Sequence, residues 1–496
     1  MIARINALTW IDYAVVGGYL VAITLFGSYF ARFQKTTRDY FLTGRSVPWW
    51  AICFTVVATE TSTLTFISVP AAAYAGDMTF LQLAFGYVIG RIIVGALFIP
   101  AYFRGDLFTS YELLRRRFGD RVKNVSAAIF LVTRSLADGI RLFATALVIS
   151  VVTDVSVSLA IVAIGAAMIV YTVRGGSAAV IWTDVVQLFV YVAGAAVVFG
   201  SLLALIPGGW AEVVRVGSAS GKFRVFDVSW SLARPYTLWA GIAGGVALTL
   251  STHGTDQFLV QRLLSARSAR DASRGLVLSG FLVLAQFGLF LVIGVMLFTY
   301  YQEAPMPRPL TRSDEILPVF IVSELSHGAA GFIVAAIVAA ALSPSINSMA
   351  ATTVNDFYLP AVARREKTKK EEGKRKKEEG NANDFDEATL MRVSRMWTVF
   401  WGVVQIGVAI GAQYMQRSVL DAGLAVLSWA SGPVLGAFLL ATLAPGTTER
   451  QAFGGMMAGL VAMAIVWGAP LPVAFTWYVF IGASVTVVAA RLLPRS

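Results

Sequence analysis

Cysteine is almost missing: Cys53 is the one thiol in 496 residues. No disulfide can close within the chain, and no cysteine metal cluster can form. Histidine is nearly as scarce, with only His253 and His327. Neither a clustered metal-ligand motif nor a phosphate-cradling Walker loop is present, so the chain does not read as an enzyme. Charged residues make up only 14% of the chain, which excludes an ordinary soluble domain of this size. What fills the space is apolar, at 57% hydrophobic residues and a mean hydropathy of +0.70. Repeated apolar runs of about 20 residues or more define an all-α polytopic membrane protein in contact with lipid. The net charge of +11 sits in short loops between those runs. That is the pattern of cytoplasmic loops rather than of a nucleic-acid surface.

Thirteen candidate transmembrane spans follow from hydropathy. They cover 10–31, 47–75, 79–103, 124–151, 155–173, 177–206, 236–263, 273–301, 328–358, 389–413, 419–443, 451–468 and 472–492. The first is too long for a signal-peptide core and reads as a retained span. Basic residues gather after the odd-numbered spans, as in Arg115-Arg116-Arg117 and Arg267/Arg270/Arg274. An N-terminus outside and a C-terminus in the cytoplasm are therefore expected, in the plasma (inner) membrane. The organisation expected is a first span and loop (1–46), five spans (47–206), an extracellular loop (207–235), five more (236–443), then two C-terminal spans (444–496). Within it, 361–388 is a charged cytoplasmic linker. Its core, KTKKEEGKRKKEE from Lys367, has no apolar face to bury.

The stretch Val47–Gly76 organises the rest. Its flanks can cross a bilayer, yet its centre reads Ala58-Thr59-Glu60-Thr61-Ser62-Thr63. Short hydroxyl side chains compete for backbone hydrogen bonds and weaken a helix there. A carboxylate at that depth marks a functional position. Span seven carries a comparable polar stretch, Leu250-Ser251-Thr252-His253-Gly254-Thr255-Asp256. Each leads a set of five spans, and an odd number of crossings inverts one set against the other. Paired discontinuous helices in a 5+5 inverted repeat point to a transport site near the midplane.

Several motifs resemble the sodium/solute symporter family. They are Trp49-Trp50-Ala51, Ile181-Trp182-Thr183-Asp184-Val185-Val186-Gln187, Gln257-Phe258-Leu259-Val260-Gln261-Arg262, and Asn347-Ser348 followed by Asp356-Phe357-Tyr358. They fall in order across about residues 10–445. The resemblance implies a leucine-transporter-type core, alternating access, and cotransport of sodium with a small polar solute. Family members carry sugars, amino acids, sialic acid, vitamins or halides.

The family's main sodium site uses carbonyls at the break of span two, here Ala58 and Thr61, and a hydroxyl pair on span nine. That pair falls on Ala340 and Ala341, which have no hydroxyl to offer. Pro344 lacks an N–H, so the Ala340 carbonyl loses its helical partner and is left for a cation. With Ser343 it would complete a remodelled site. Asp184, about two turns inside span six, is the second cation candidate, with a structural ion pair as its rival role. Glu60 can neutralise a cation or carry a proton itself. Thr63, Thr65, Thr249, Thr252, His253 and Asp256 are candidates for solute binding or gating. Arg134, Asp138 and Arg141 share one helical face. Arg141 can grip a carboxylate-bearing solute, while an ion network with Glu60 or Asp138 is the plainer role. Positions that recognise sugars in the family fall on Thr65, Ala84 and Thr249 here, so that scheme does not transfer.

The chain is thus expected to be a secondary active transporter, sodium-coupled, for a sugar, sugar acid, amino acid or similar solute. The alternatives are a proton-coupled carrier using Glu60 or Asp184, and a coupling-deficient sensor of the same fold. No organic cofactor is expected.

Overall fold

Two short losses of helical backbone set the architecture. In the computed structural model, which describes residues 9–104, 107–153, 155–310, 312–341, 345–364, 387–414, 419–469 and 471–494, the first lies at Thr61 and Ser62. It separates α2 (Trp49–Glu60) from α3 (Thr63–Ala75), whose axes diverge by 58°. α1 (Trp10–Tyr29) precedes them. Thr61 has φ −76° and ψ 98°, and Ser62 has φ −102° and ψ 171°. Hydroxyls take over the bonds the helix gives up. Thr65 Oγ1 accepts from the Ser62 N–H at 3.2 Å and donates to the Glu60 carbonyl at 3.3 Å. Such local satisfaction is what lets irregular backbone persist at membrane depth.

The second break separates α7 (Gly245–Gly254) from α8 (Gln257–Leu264), with α4 (Leu81–Phe103), α5 (Asp120–Thr153) and α6 (Val157–Leu205) between in sequence. The expected position needs correcting. Leu250–Gly254 remain helical, and only Thr255 (φ −132°) and Asp256 (ψ 121°) leave the helix. The freed carbonyls are met from outside the helix: Tyr102 Oη donates to Gly254, and Ser110 Oγ to Thr255 at 2.9 Å.

Seven described helices are long and apolar enough to span a bilayer, eight with the bent pair α2–α3. α6 (Val157–Leu205) is divided at Gly176, whose φ of +56° and ψ of −150° are not helical, and this division falls between expected spans five and six. Gly176 has φ +56°, and a Cβ there would sit 2.5 Å from the Tyr40 carbonyl oxygen, so only glycine fits. α9 (Ala269–Glu303) packs against α3 and α4. α10 (Ala329–Ala341) and α11 (Ile346–Thr352) belong to expected span nine. α12 (Glu387–Ala412), α13 (Val419–Leu443), α14 (Glu449–Gly468) and α15 (Tyr478–Leu492) complete the chain. Among the described residues there is no strand, only a bridge between Val47 and Ala266. Most of the charged linker, 365–386, lies outside the described residues.

Small residues bring α4 against the broken pair. A Cβ on Gly90 would come within 2.6 Å of Thr249 Cβ, so the two helices touch at backbone range. Large apolar side chains such as Leu25, Val132, Phe189, Val403 and Ile465 face outward. They suit a hydrocarbon surround.

Candidate functional site

The cavity between the two breaks has a volume of about 150 Å³. α2 and α3 bring Glu60, Ser62 and Thr65 to it; α7 brings Thr249, Thr252 and His253; α5 brings Arg134, Asp138 and Arg141. Phe80, Tyr87 and Phe258 supply apolar walls.

Charge is arranged in pairs around this space. Glu60 meets Arg91 in an ion pair, and its carboxylate lies 3.8 Å from His253 Nε2. Arg91 is fully buried and also approaches His253 Nε2 at 3.3 Å. The other ring nitrogen of His253 lies 2.9 Å from Thr252 Oγ1. Arg134 pairs with Asp138 at 3.3 Å and with Asp256 at the second break. Further along, Arg262 holds Asp184 at 3.1 Å, and Thr55 Oγ1 donates to the same carboxylate at 2.5 Å. Arg134 and Arg262 both lie over the ring of Phe258, at 4.6 and 4.4 Å. Buried charges need such partners, since each unpaired one costs several kcal/mol, about 3–5 when a partner is removed.

One guanidinium is left over. Arg141 has no hydrogen-bond or ion-pair partner among the described residues, and its buried Nη1 is unsatisfied. One turn away on the same helix, Asp138 Oδ2 is also buried and unpartnered. Both residues line the cavity.

Of the eight candidates for solute binding or gating, six line the cavity: Glu60, Thr65, Arg141, Thr249, Thr252 and His253. Two do not. Thr63 turns away, bonding Thr145 Oγ1 at 2.7 Å and the Ile337 carbonyl at 3.2 Å. Asp256 is engaged by Arg134 and by the Phe258 N–H, which it caps at 2.9 Å. Its place at the helix break explains this: the first free N–H groups of α8 and a neighbouring guanidinium claim the carboxylate. Of the cation candidates, Ala58 is buried beside the first break. Thr61 Oγ1 bonds back to the Val57 carbonyl at 2.8 Å, and Gln286 Nε2 donates to it at 2.7 Å. Asp184 is fully buried in the Arg262 pair, the structural role weighed against cation binding. Ser343 and Pro344 lie outside the described residues, and Ala340 and Ala341 are described only in their backbone. Gln286 and Arg262 were not anticipated; no local pattern marks a partner 78 or 225 residues away.

Two helix breaks beside a cavity that Glu60, Arg134, Asp138 and Arg141 line, in a bundle with several spans, suit a membrane transporter. The model of the sodium:solute symporter family matches residues 40–459, and the chain belongs to that family. It is 30% identical to the sodium/sialic acid symporter NanT of Aliivibrio fischeri over 97% of this chain and 92% of the relative. It is likewise 30% identical to the sodium/sialic acid symporter SiaT of Proteus mirabilis, over 97% and 94%. The human sodium/iodide cotransporter is 27% identical over 88% of this chain and 66% of its own length. A solved substrate-bound, outward-open Na⁺-coupled sialic acid symporter superposes with a TM-score of 0.86 at 29% identity, covering 98% of each chain. A nucleobase-cation-symport-1 family transporter, at TM-score 0.56 and 13% identity, shares the fold alone.

Proposed function

We propose that the protein is a sodium-coupled symporter of a small organic acid that also bears a hydrogen-bond donor. The unpaired Arg141 guanidinium carries this reading. A carboxylate is its natural partner, and Asp138 Oδ2 offers an acceptor for a hydroxyl or ammonium on the same solute. Sugar acids and amino acids both meet that description. The sialic acid symporters among its relatives support an acid over a neutral sugar.

Coupling follows from charge balance. Arg91, Arg134, Arg141 and Arg262 are matched by Glu60, Asp138, Asp184 and Asp256. An anion entering this neutral cluster adds net charge at membrane depth, which is expensive unless a cation comes with it. The first break, with the carbonyls of Ala58 and Thr61, lies beside the cavity. We place sodium there, against the Ala340 carbonyl and Ser343 of span nine, with Asp184 on the path. In this scheme the two five-span halves, 47–206 and 236–443, are inverted repeats. Sodium favours the form open to the outside, and the helices carrying the breaks then rock to release both ligands inward.

Glu60 beside His253 supports a second reading, in which a proton drives the solute. Reconstituted vesicles decide. N-acetylneuraminate and a panel of sugar acids, amino acids and neutral sugars would be supplied with a sodium gradient or a pH gradient alone. Uptake of an acid under the sodium gradient is expected. Acid uptake under the pH gradient alone would select the proton-coupled carrier, and no uptake of any solute would overturn both.

A further inference from the structure

Behind α3 lies a second cavity, of about 310 Å³, which the solute site does not use. One short helix walls both. Ser62, Thr65 and Val69 face the first cavity; Thr63, Ile67 and Ser68 face the second. Opposite stand Phe143 and Val148 of α5 and the segment 312–318, in the loop that the charge pattern places outside.

The walls are mainly apolar, and the charged groups all come from that loop. They are Arg312, Asp314 and Glu315. Glu315 is already paired with Arg308 at 2.9 Å. Burial pushes the Asp314 carboxyl above the usual range, against the charge of nearby Arg312 that draws it down, which lessens its repulsion of an anion. Arg312 has no carboxylate within ion-pair distance among the described residues. An apolar chamber with a guanidinium that no carboxylate holds at ion-pair distance, though Asp314 feels its charge, is the composition of a small-molecule site.

We propose that this cavity is a second, modulatory site for a small aromatic or aliphatic carboxylate, its apolar body against Phe143 and Val148 and its carboxylate on Arg312. The occupant touches α3, α5 and the outer loop together. It therefore restrains α3, the half-helix that must shift against α5 if the solute site is to change its access. A ligand that binds one arrangement better than another shifts the balance between them.

The test uses phenylacetate and the purified full-length protein in lipid nanodiscs. Saturable binding is expected, weakened at least tenfold by Arg312→Ala and by Val157→Trp, which fills the chamber from its rim. Arg141→Ala, in the solute cavity, should leave it within twofold. Absence of saturable binding to the unaltered protein would overturn the proposal. So would binding that survives Arg312→Ala and Val157→Trp but is lost in Arg141→Ala, since phenylacetate would then occupy the solute cavity. Because the readout is binding and not uptake, it stands apart from the test of sodium-coupled transport.

Discussion

Arg134 of α5 is joined to Asp256, the residue at which span seven breaks, by a buried ion pair beside the solute cavity. The contact ties a long continuous helix to one of the two interrupted ones. It also sets the Arg134 guanidinium over Phe258, whose ring lies under Arg262 as well.

Asp256→Asn tests that link. Asparagine still caps α8 through its side-chain oxygen, so the helix start survives, but the ion pair is lost. Arg134 keeps Asp138, which limits the damage to about 1–3 kcal/mol. Thermal unfolding should show the loss. Thiol labelling of a cysteine introduced at Phe258, in a Cys53→Ser background, should become faster; unchanged labelling would mean that the pair holds nothing shut.

Arg141 makes the opposite prediction. Since no described group depends on it, Arg141→Met should leave the melting temperature unchanged or raise it. The same change should raise the KM for an acidic solute about 100-fold, the loss of a charge-assisted hydrogen bond worth about 2–3 kcal/mol. Unaltered KM in a well-folded variant would remove the carboxylate role.

Glu60 and Arg91 call for a double-mutant cycle. Glu60→Gln leaves a fully buried guanidinium without its carboxylate, a loss of about 3–5 kcal/mol. Adding Arg91→Met should recover most of that stability, because the pair is then absent altogether. Strictly additive losses would show that the two residues do not interact.

Asp314 should mark the loop's pH response. Its carboxyl is raised by burial, so folding favours the protonated form. The favourable contribution is full below the unfolded value of 3.8 and fades as pH rises through the folded one. Asp314→Asn is neutral at every pH. Its melting temperature should exceed that of the unaltered protein near pH 8, and the gap should close toward pH 4. A gap that widens in acid would reverse the assignment.

The first helix break was legible because its cause is local: a hydroxyl close in sequence, Thr65 Oγ1, takes the Ser62 N–H and the Glu60 carbonyl at the break. The second was placed too broadly for the same chemistry seen from the other side. Thr252 Oγ1 bonds back to Leu248 at 2.9 Å and Thr255 Oγ1 to Ser251 at 2.8 Å, so polar side chains there also support the helix. Thr63, a candidate for solute binding or gating, lines the second cavity, on the other side of α3 from Ser62 and Thr65.

Hydropathy and the positions of the basic residues determined by themselves that this is a helical membrane protein, because a bilayer demands long apolar segments whatever surrounds them. Its polar interruptions and motifs also marked the family. Pairing was decided only in three dimensions. Arg262 takes Asp184, Arg134 takes Asp256, and Arg141 is left without an ion-pair partner among the described residues. Attraction between charges depends on distance through space, and only the packed helices bring residues so far apart in sequence to within a few ångströms.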